Sequence, residues 1–475
     1  MHPISSPVSS MPSVQFPAMP PDEAATLQAL QWQFDQSEFW TPAALQAAQF
    51  QQITALVEHA MRTVPFHAKR LRAAGFRPGK PVDATLWRRL PIMTRADLRD
   101  QGEKLHASQL PAAFGGHFTA SSSGSTGVPV RVRKSDIDAL MWNAISLREL
   151  GWHDTDASCM HVAIKGFAGA QFSTADIAAL RSPSGLILPN WGRPASVVWK
   201  TGPSGMLHSN LSDQEKIAFL IRVQPAYLST SPSTLRLLLG YLRDHGIRLP
   251  SLRAVHTSTE RLDDDLRDLC MDILHCKIIH NYSANEVGYM ALQCPMTGYY
   301  HVQSEVVHCE VLNDAGAPCA VGEIGRVVVT PLHNFAMPLL RYQIGDEAEI
   351  GPMCPCGRGL PVLKNIIGRT SDYLTLPSGM RRRLTYNVYR MSTIESIKEY
   401  QLVQTHPDRI EIRMVVRREL TAAETGVIED VMHTAFDGLL RVSIRSVTTL
   451  PRTAAGKLRP FISEIEGTSP PGITQ

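Results

Sequence analysis

The sequence has little net charge, and this excludes one broad class of protein. Its 475 residues include 47 Lys and Arg against 44 Asp and Glu, a formal net charge of +3. Because an extended nucleic-acid footprint needs a marked excess of basic residues, we expect no nucleic-acid partner. Charged residues make up 19% and hydrophobic residues 44% of the chain, which is typical of a soluble enzyme with a large core.

An export signal and a disulfide framework are also lacking. The opening segment Met1-His-Pro-Ile-Ser-Ser-Pro7 has no basic start and no apolar run long enough for export. We therefore expect a cytoplasmic protein in a reducing compartment, without a membrane partner. Residues 1–21, rich in Pro, Ser and Met, are predicted to be a disordered tail. Five of the eight cysteines are interpreted as small core or surface residues: Cys159, Cys270, Cys276, Cys309 and Cys319.

The stretch Thr119-Ala-Ser-Ser-Ser-Gly-Ser-Thr-Gly-Val-Pro-Val130 is rich in hydroxyls and glycines but contains no lysine. Its hydroxyls and backbone N–H groups can surround a polyphosphate. A P-loop would place a lysine after Gly127, whereas Val128, Val130 and Val132 alternate with other residues as in a strand. Taken alone, a Ser- and Gly-rich connection between two strands is more often a plain flexible turn. The motifs that follow it in the chain favour a phosphate-binding loop instead.

Three further motifs follow this loop in a fixed order. His280-Asn-Tyr-Ser-Ala-Asn-Glu-Val-Gly288 comes directly after an apolar run at 276–279 that is typical of a buried strand. Leu340-Arg-Tyr-Gln-Ile-Gly-Asp346 and Pro451-Arg-Thr-Ala-Ala-Gly-Lys-Leu-Arg459 come later. Together the four motifs resemble the signature set of the adenylate-forming enzymes, which include acyl-CoA synthetases, peptide-synthetase adenylation domains and luciferases. The resemblance covers the chain from about residue 40 to the end.

The resemblance implies an α/β fold with two domains. Residues 22–371 would form a large N-terminal domain of stacked α/β sheets plus a small β-rich subdomain, and residues 372–475 a small mobile α+β lid domain. Asp372 matches the hinge between them. Hydrophobic periodicity agrees, because helices and strands alternate between 136 and 275, whereas strands without long helices follow from 306 to 350.

The reaction implied by the resemblance is attack of a carboxylate on the α-phosphorus of ATP, which gives an acyl-adenylate and pyrophosphate. Lys457 would be the catalytic lysine, contacting the carboxylate and the α-phosphate together. Glu286 would also be catalytic, holding a magnesium ion against the phosphates. Tyr282 would pack on the adenine, and Asp346 would accept hydrogen bonds from the ribose hydroxyls. The residues expected to bind ATP or AMP are Ser122, Ser123, Gly124, Ser125, Thr126, Gly127, Ser258, Glu260, Tyr282, Ser283, Asn285, Asp346 and Arg369.

The chain departs from the family pattern at two of these motifs. Many relatives carry a lysine in or just after the phosphate loop, where Val128 and Val130 stand here. Arg131 and Arg133 are the basic residues considered as substitutes for its charge. Relatives also usually have Gly at the position of Ser283 and Thr or Ser at the position of residue 285.

A metal site is predicted from four residues in two segments. Cys294 and His301 lie in one segment, and Cys354 and Cys356 lie in the segment Met353-Cys-Pro-Cys-Gly-Arg358. Three thiolates and one imidazole can close a tetrahedral structural zinc site, with reduced surface thiols as the alternative. This arrangement resembles the phenylacetate–CoA ligase-like branch and its coenzyme F390 synthetase-like relatives. The resemblance implies that the zinc joins two loops and takes no part in the chemistry.

The branch implies coenzyme A as co-substrate and an aryl or arylacetic acid as substrate. Arg381, Arg382 and Arg383 are candidates for its phosphates, and a solvated charge run is the alternative. The acyl pocket is assigned to residues that are equally plausible as core: Phe167, Gly169, Phe172, Trp191 and Tyr227. A carrier-protein thiol or an amine is the alternative acceptor, and a non-catalytic nucleotide-binding scaffold is the second alternative function. The sequence does not determine the oligomeric state, and a homodimer is one alternative.

Overall fold

The computed structural model describes residues 6–121, 130–166, 172–369, 373–378, 381–383, 394, 396–436, 438–452, 458 and 461–465. The helices are α1 Asp22–Ser37, α2 Pro42–Thr63, α3 Pro65–Ala73, α4 Ala84–Arg88, α5 Arg95–Gln101, α6 Asp136–Trp152, α7 Thr174–Leu180, α8 Ala195–Val198, α9 Asp213–Val223, α10 Pro232–Asp244, α11 Asp264–Leu274 and α12 Ala422–Phe436. Short 3₁₀ helices cover Gly102–Leu105 and Ala112–Phe114. The strands are β1 His117–Ser121, β2 Arg131–Ser135, β3 His161–Lys165, β4 Leu186–Leu188, β5 Ser204–His208, β6 Tyr227–Thr230, β7 Ala254–Thr257, β8 Lys277–Ala284, β9 Gly288–Gln293, β10 Tyr300–Val302, β11 Val307–Leu312, β12 Ile324–Pro331, β13 Tyr342–Ile350, β14 Val362–Arg369, β15 Tyr373–Thr375, β16 Arg381–Arg383, β17 Ile397–His406, β18 Arg409–Val416, β19 Arg441–Ser446 and β20 Phe461–Ser463.

A twelve-stranded sheet organises most of the chain, in the order β11-β12-β13-β14-β10-β9-β8-β7-β6-β3-β5-β4. Strands β5, β3, β6, β7 and β8 run parallel, as the alternation of helices and strands predicts. Helix α10 covers this half with apolar side chains spaced three and four residues apart, and its buried face consists of Leu235, Leu238, Leu239 and Leu242.

Strand β8 joins the parallel half of the sheet to an antiparallel half. It pairs in parallel with β7 on one side and antiparallel with β9 on the other. The β-rich run predicted between 306 and 350 forms β11, β12 and β13 within the antiparallel half. The motif at 280–288 therefore lies where the two halves of the sheet meet, along β8 and the turn that follows it.

The C-terminal residues build a second sheet with its own core. Its strand order is β19-β18-β17-β20, and α12 packs on it through Ile428 and Met432 against Ile410 and Ile412. The α/β class and the presence of a C-terminal domain are confirmed. Asp372 lies outside the described residues, and the domain boundary there stays a prediction.

The N-terminal tail differs from its prediction over the residues that are described. The backbone N–H of Val8 donates to the carbonyl of Val198 at 3.0 Å, and the N–H of Lys200 donates to the carbonyl of Ser6 at 2.8 Å. Pro7 forms a bridge with Trp199 between them. Residues 6–8 are therefore held by backbone pairing, which composition alone does not reveal because it involves no side chains.

Within the described parts of the chain, no helix has both the length and the apolar character required to cross a membrane.

Candidate active site and metal cluster

The predicted phosphate loop is framed by an antiparallel hairpin. Strands β1 and β2 pair in register from His117 opposite Ser135 to Ser121 opposite Arg131. Residues 122–127 themselves lie outside the described part of the chain. On β2, Val130 precedes the strand and Val132 follows on the same side, and both are buried in the core that contains Tyr282. The two strands predicted to flank the loop are therefore present.

Two of the four motifs meet through one hydrogen bond. The Tyr282 hydroxyl donates to Oδ2 of Asp346 at 2.7 Å, and both side chains are buried. Asp346 lies inside β13, opposite Arg369 of β14. A buried carboxylate requires such donors, because an unpaired one costs several kcal/mol. The side chain that is expected to bind ribose is therefore held in place by the tyrosine that is expected to contact adenine.

Glu286 lies in the turn between β8 and β9 and is 3% exposed. Its Oε1 accepts no hydrogen bond from any residue that the structure describes, and the Arg95 guanidinium lies 3.9 Å from this oxygen. A buried carboxylate oxygen with unused acceptor capacity suits a hard cation such as magnesium. The geometry is therefore compatible with the predicted magnesium ligand.

Lys134 is a residue that the sequence reasoning missed. It lies on β2, is 7% exposed and follows Val130 and Val132 on the buried side of the strand. Burial lowers the pKa of Lys134, while the nearby carboxylates of Asp138 and Glu286 oppose this change. Lys134 continues the alternation of Val130 and Val132. A charged residue at a position where this pattern predicts an apolar one is the signal that could have identified it. Lys134 and Arg95 thus place two cations near Glu286. The predicted phosphate loop, which comes just before β2 in the chain, contains no lysine.

The segment after β7 is tied to the start of α10. The carboxylate of Glu260 accepts hydrogen bonds from the backbone N–H of Ser233 at 2.9 Å and from its hydroxyl at 3.0 Å. Thr259, between Ser258 and Glu260, has a positive φ of 75°. These contacts give Glu260 a helix-capping role, and its predicted contact with the nucleotide base stays untested.

Two of the described acyl-pocket candidates, Tyr227 and Trp191, lie in or beside the core. Tyr227 is 5% exposed, packs edge-on against Trp191, and its hydroxyl accepts from the N–H of Asp156 at 2.9 Å. Both residues belong to one small cluster with Ile279. This matches the alternative that Tyr227 and Trp191 are core residues.

Several predicted residues fall outside the described chain. These are Phe167, Gly169, Asp372 and Lys457, together with the loop residues 122–127. For Arg369, the backbone pairing in β14 is the part that is described.

The four predicted zinc ligands come together from two segments. Their ligand atoms all lie within 4.8 Å of one another. The Sγ atoms of Cys294 and Cys354 are 3.8 Å apart, and Sγ of Cys356 is 3.2 Å from Nε2 of His301. Tetrahedral zinc with Zn–S bonds of about 2.3 Å would hold two sulfurs about 3.8 Å apart.

The surroundings of the cluster also suit a metal. Nδ1 of His301 faces the carbonyl of Leu360 at 3.4 Å, which leaves Nε2 for the cluster. Burial lowers the pKa of His301 to about 4, so the imidazole is neutral at pH 7. The donor set, the spacing and the orientation of the imidazole all fit a structural zinc ion.

Comparison with known proteins finds similarity to acyl-activating ligases. No protein-family model matches it. A phenylacetate-coenzyme A ligase of Escherichia coli is 26% identical over 427 residues, covering 82% of this chain and 90% of the relative. A phenylacetate-coenzyme A ligase of Thermus thermophilus is 24% identical, covering 76% of this chain and 78% of the relative. The crystal structure of a 2-hydroxyisobutyryl-CoA ligase in the postadenylation state, in complex with 2-HIB-AMP, has the same fold. Its TM-score is 0.69 at 18% identity, over 96% of this chain and 98% of that chain.

Proposed function

We propose that this chain, a member of the adenylate-forming superfamily related to the phenylacetate–coenzyme A ligases, activates a carboxylic acid with ATP and passes the acyl group to coenzyme A. The observation that carries the proposal is the hydrogen bond from Tyr282 to Asp346, which joins two of the four motifs. Tyr282 lies in β8, and the turn that follows this strand carries Glu286. The buried carboxylate of Glu286 has one oxygen without a hydrogen bond from any described residue.

The reaction has two steps that balance without a covalent protein intermediate. A carboxylate oxygen of the acid attacks the α-phosphorus of ATP, the bond to the bridging oxygen of the β-phosphate breaks, and pyrophosphate leaves. The coenzyme A thiolate then attacks the acyl carbon of the adenylate, and AMP leaves with the bonding electrons. Both steps depend on positioning and on neutralising phosphate charge.

The roles of the residues follow from their chemistry. Asp346, fixed by Tyr282, would accept the ribose hydroxyls, and Glu286 would hold magnesium, which when bound supplies positive charge at the phosphates. Lys457 would contact the acid and the α-phosphate. The loop at 122–127 would hold the outer phosphates through hydroxyl and amide donors.

The cluster of Cys294, His301, Cys354 and Cys356 is proposed to hold a structural zinc ion. It would connect the segment after β9 to the loop that precedes β14. Since all four positions are filled by protein ligands, the ion would have no open site for substrate.

The acid is proposed to be aryl or arylacetic, following the named substrate of the phenylacetate relatives. A cytoplasmic location suits a pathway that consumes ATP and free coenzyme A. The matched solved structure, a 2-hydroxyisobutyryl-CoA ligase, shares the fold and therefore does not decide between aryl and aliphatic acids.

The experiment is ATP–pyrophosphate exchange over a panel of aromatic and aliphatic acids, with and without coenzyme A. We expect exchange that depends on one class of acid and that falls at least 100-fold in Lys457→Ala, since one lost electrostatic contact to a transition state costs about that much. Acyl-CoA should appear when coenzyme A is present.

Each alternative has its own outcome in this assay. Exchange without thioester would replace coenzyme A by a carrier-protein thiol or an amine. ATP binding without exchange, unchanged by Lys457→Ala, would support the non-catalytic scaffold and overturn the proposal.

A further inference from the structure

An open groove of about 770 Å³ lies between α3 and the 3₁₀ helix Gly102–Leu105, apart from the residues assigned to the nucleotide. One wall carries Pro65, Phe66, Lys69 and Arg70 from α3, and the other carries Lys104 and His106. Its size is within the range of sites that hold a nucleotide-sized ligand. No motif or assigned role in this chain uses these residues.

The groove combines positive charge with an apolar floor. Lys69 and Lys104 are exposed, and neither has a hydrogen bond or an ion pair with another described residue. No Asp or Glu is among the described residues that line it. Pro65 and the half-buried ring of Phe66 supply an apolar surface in the same groove. The groove is therefore complementary to a ligand with a flat apolar part and more than one anionic group.

The groove adjoins two segments of the proposed active site from outside. The Arg70 guanidinium donates to the carbonyl of Leu340 at 3.0 Å, at the start of the motif that leads to Asp346. Arg133 lies on the strand that leaves the phosphate loop, and it is close enough to His106 to act on it electrostatically. A ligand in the groove would thus lie beside the nucleotide site without occupying it.

We propose that this groove binds the phosphorylated adenosine end of coenzyme A, with Lys69 and Lys104 contacting its phosphates and Phe66 supporting the base. The inference rests on the proposed function, because it assigns the acceptor's binding site. It differs from the sequence-based assignment of the phosphates to Arg381–Arg383. A phosphorylated adenosine supplies both properties that the groove selects, an apolar ring system and several anionic groups.

The test compares coenzyme A with dephospho-coenzyme A in the full-length protein. Lys69→Gln and Lys104→Gln should each raise the KM for coenzyme A about five- to tenfold, because an exposed charge-assisted contact contributes roughly 1 kcal/mol. ATP–pyrophosphate exchange should stay within twofold of wild type. Lys80→Gln, an exposed lysine outside the groove, serves as the matched control. Lys104→Arg should restore most of the affinity.

The preference between the two thiols gives the decisive readout. Wild type should prefer coenzyme A over dephospho-coenzyme A, and the double variant should lose that preference. A preference that survives in the double variant would overturn the groove assignment, as would a wild type that uses an acidic carrier protein and does not bind coenzyme A. Calorimetric titration with coenzyme A needs no turnover. Lysine-dependent binding by a protein without exchange activity would therefore reject the proposed function and keep the groove.

Discussion

At the scale of single residues, the buried charges beside Glu286 form the least conventional part of the site. Lys134 and Glu286 are 7% and 3% exposed, and the carboxylate keeps an oxygen without a hydrogen bond from any described residue. Buried opposite charges are tolerated when they compensate one another, and removing one partner leaves the other uncompensated. The positive charge of Lys134 therefore offsets part of the cost of burying the Glu286 carboxylate.

Lys134→Met should lower the free energy of unfolding by roughly 3 kcal/mol, because Glu286 and Asp138 lose a buried counter-charge. Urea unfolding followed by circular dichroism measures this change. Lys80→Met, at an exposed position, should stay within about 0.5 kcal/mol of wild type. Equal stability of the two variants would show that Arg95 alone compensates Glu286.

At the scale of elements, the cluster of Cys294, His301, Cys354 and Cys356 lies where β9, β10 and the loop before β14 meet. Cys294 follows β9, His301 lies in β10, and Cys354 and Cys356 lie in the loop before β14. Because β10 pairs with both β9 and β14, the cluster lies at one end of three neighbouring strands. A bound ion would fix the loop before β14 against the ends of these three strands.

Chelation of the metal, or Cys354→Ser, should reduce thermal stability more than it reduces the adenylation rate, since metal-binding free energy contributes to folding. Metal analysis of the purified protein should give one zinc per chain. Cys319→Ser, a half-buried cysteine outside the cluster, is the matched control. Protein purified without zinc and with unchanged stability would reject the assignment.

Elements were predictable from the sequence where one residue pattern determines them. The spacing of Leu235, Leu238 and Leu242 is sufficient to predict α10, and the alternation of Val130 and Val132 predicts β2. Contacts between distant segments were not predictable. Nothing local indicates that the Tyr282 hydroxyl reaches Asp346 or that Lys134 faces Glu286, because register and sheet order decide both. The cluster of Cys294, His301, Cys354 and Cys356 was an exception, because three cysteines and a histidine are typical of a zinc site and are therefore expected to lie together.

At the scale of the whole molecule, several histidines are held neutral by burial. Burial lowers the pKa of His67 and His280 to about 3 and that of His153 to about 4. In the unfolded chain the same histidines bind protons near pH 6.5, whereas in the folded protein they do not. The free energy of unfolding is therefore unaffected by them above that pH and falls as the pH drops below it. Glu149 acts in the opposite direction, because burial raises its pKa to about 7 and the folded protein retains a proton that the unfolded chain releases above about pH 4.5.

We expect the free energy of unfolding to fall between pH 7 and pH 5, by roughly 2 kcal/mol for each of these buried histidines. Urea titrations at the two pH values measure it. His280→Gln should make the fall in the free energy of unfolding smaller by about that amount. Glu149→Gln should make the fall larger, because the variant lacks the carboxyl group whose proton uptake at lower pH stabilises the folded protein. A His280→Gln variant with the same pH dependence as wild type would contradict the assignment.

The order of strands in the large sheet also bears on how the protein is made. Strand β10 pairs with β14, although β11, β12 and β13 come between them in the chain. During synthesis one edge of β10 therefore stays unpaired until Val362–Arg369 has left the ribosome. At ordinary translation speeds this delay lasts a few seconds, long enough for an exposed strand edge to meet other chains. Nascent chains that stall in this interval should be substrates for chaperones, and overexpression at reduced temperature should improve the yield of folded protein.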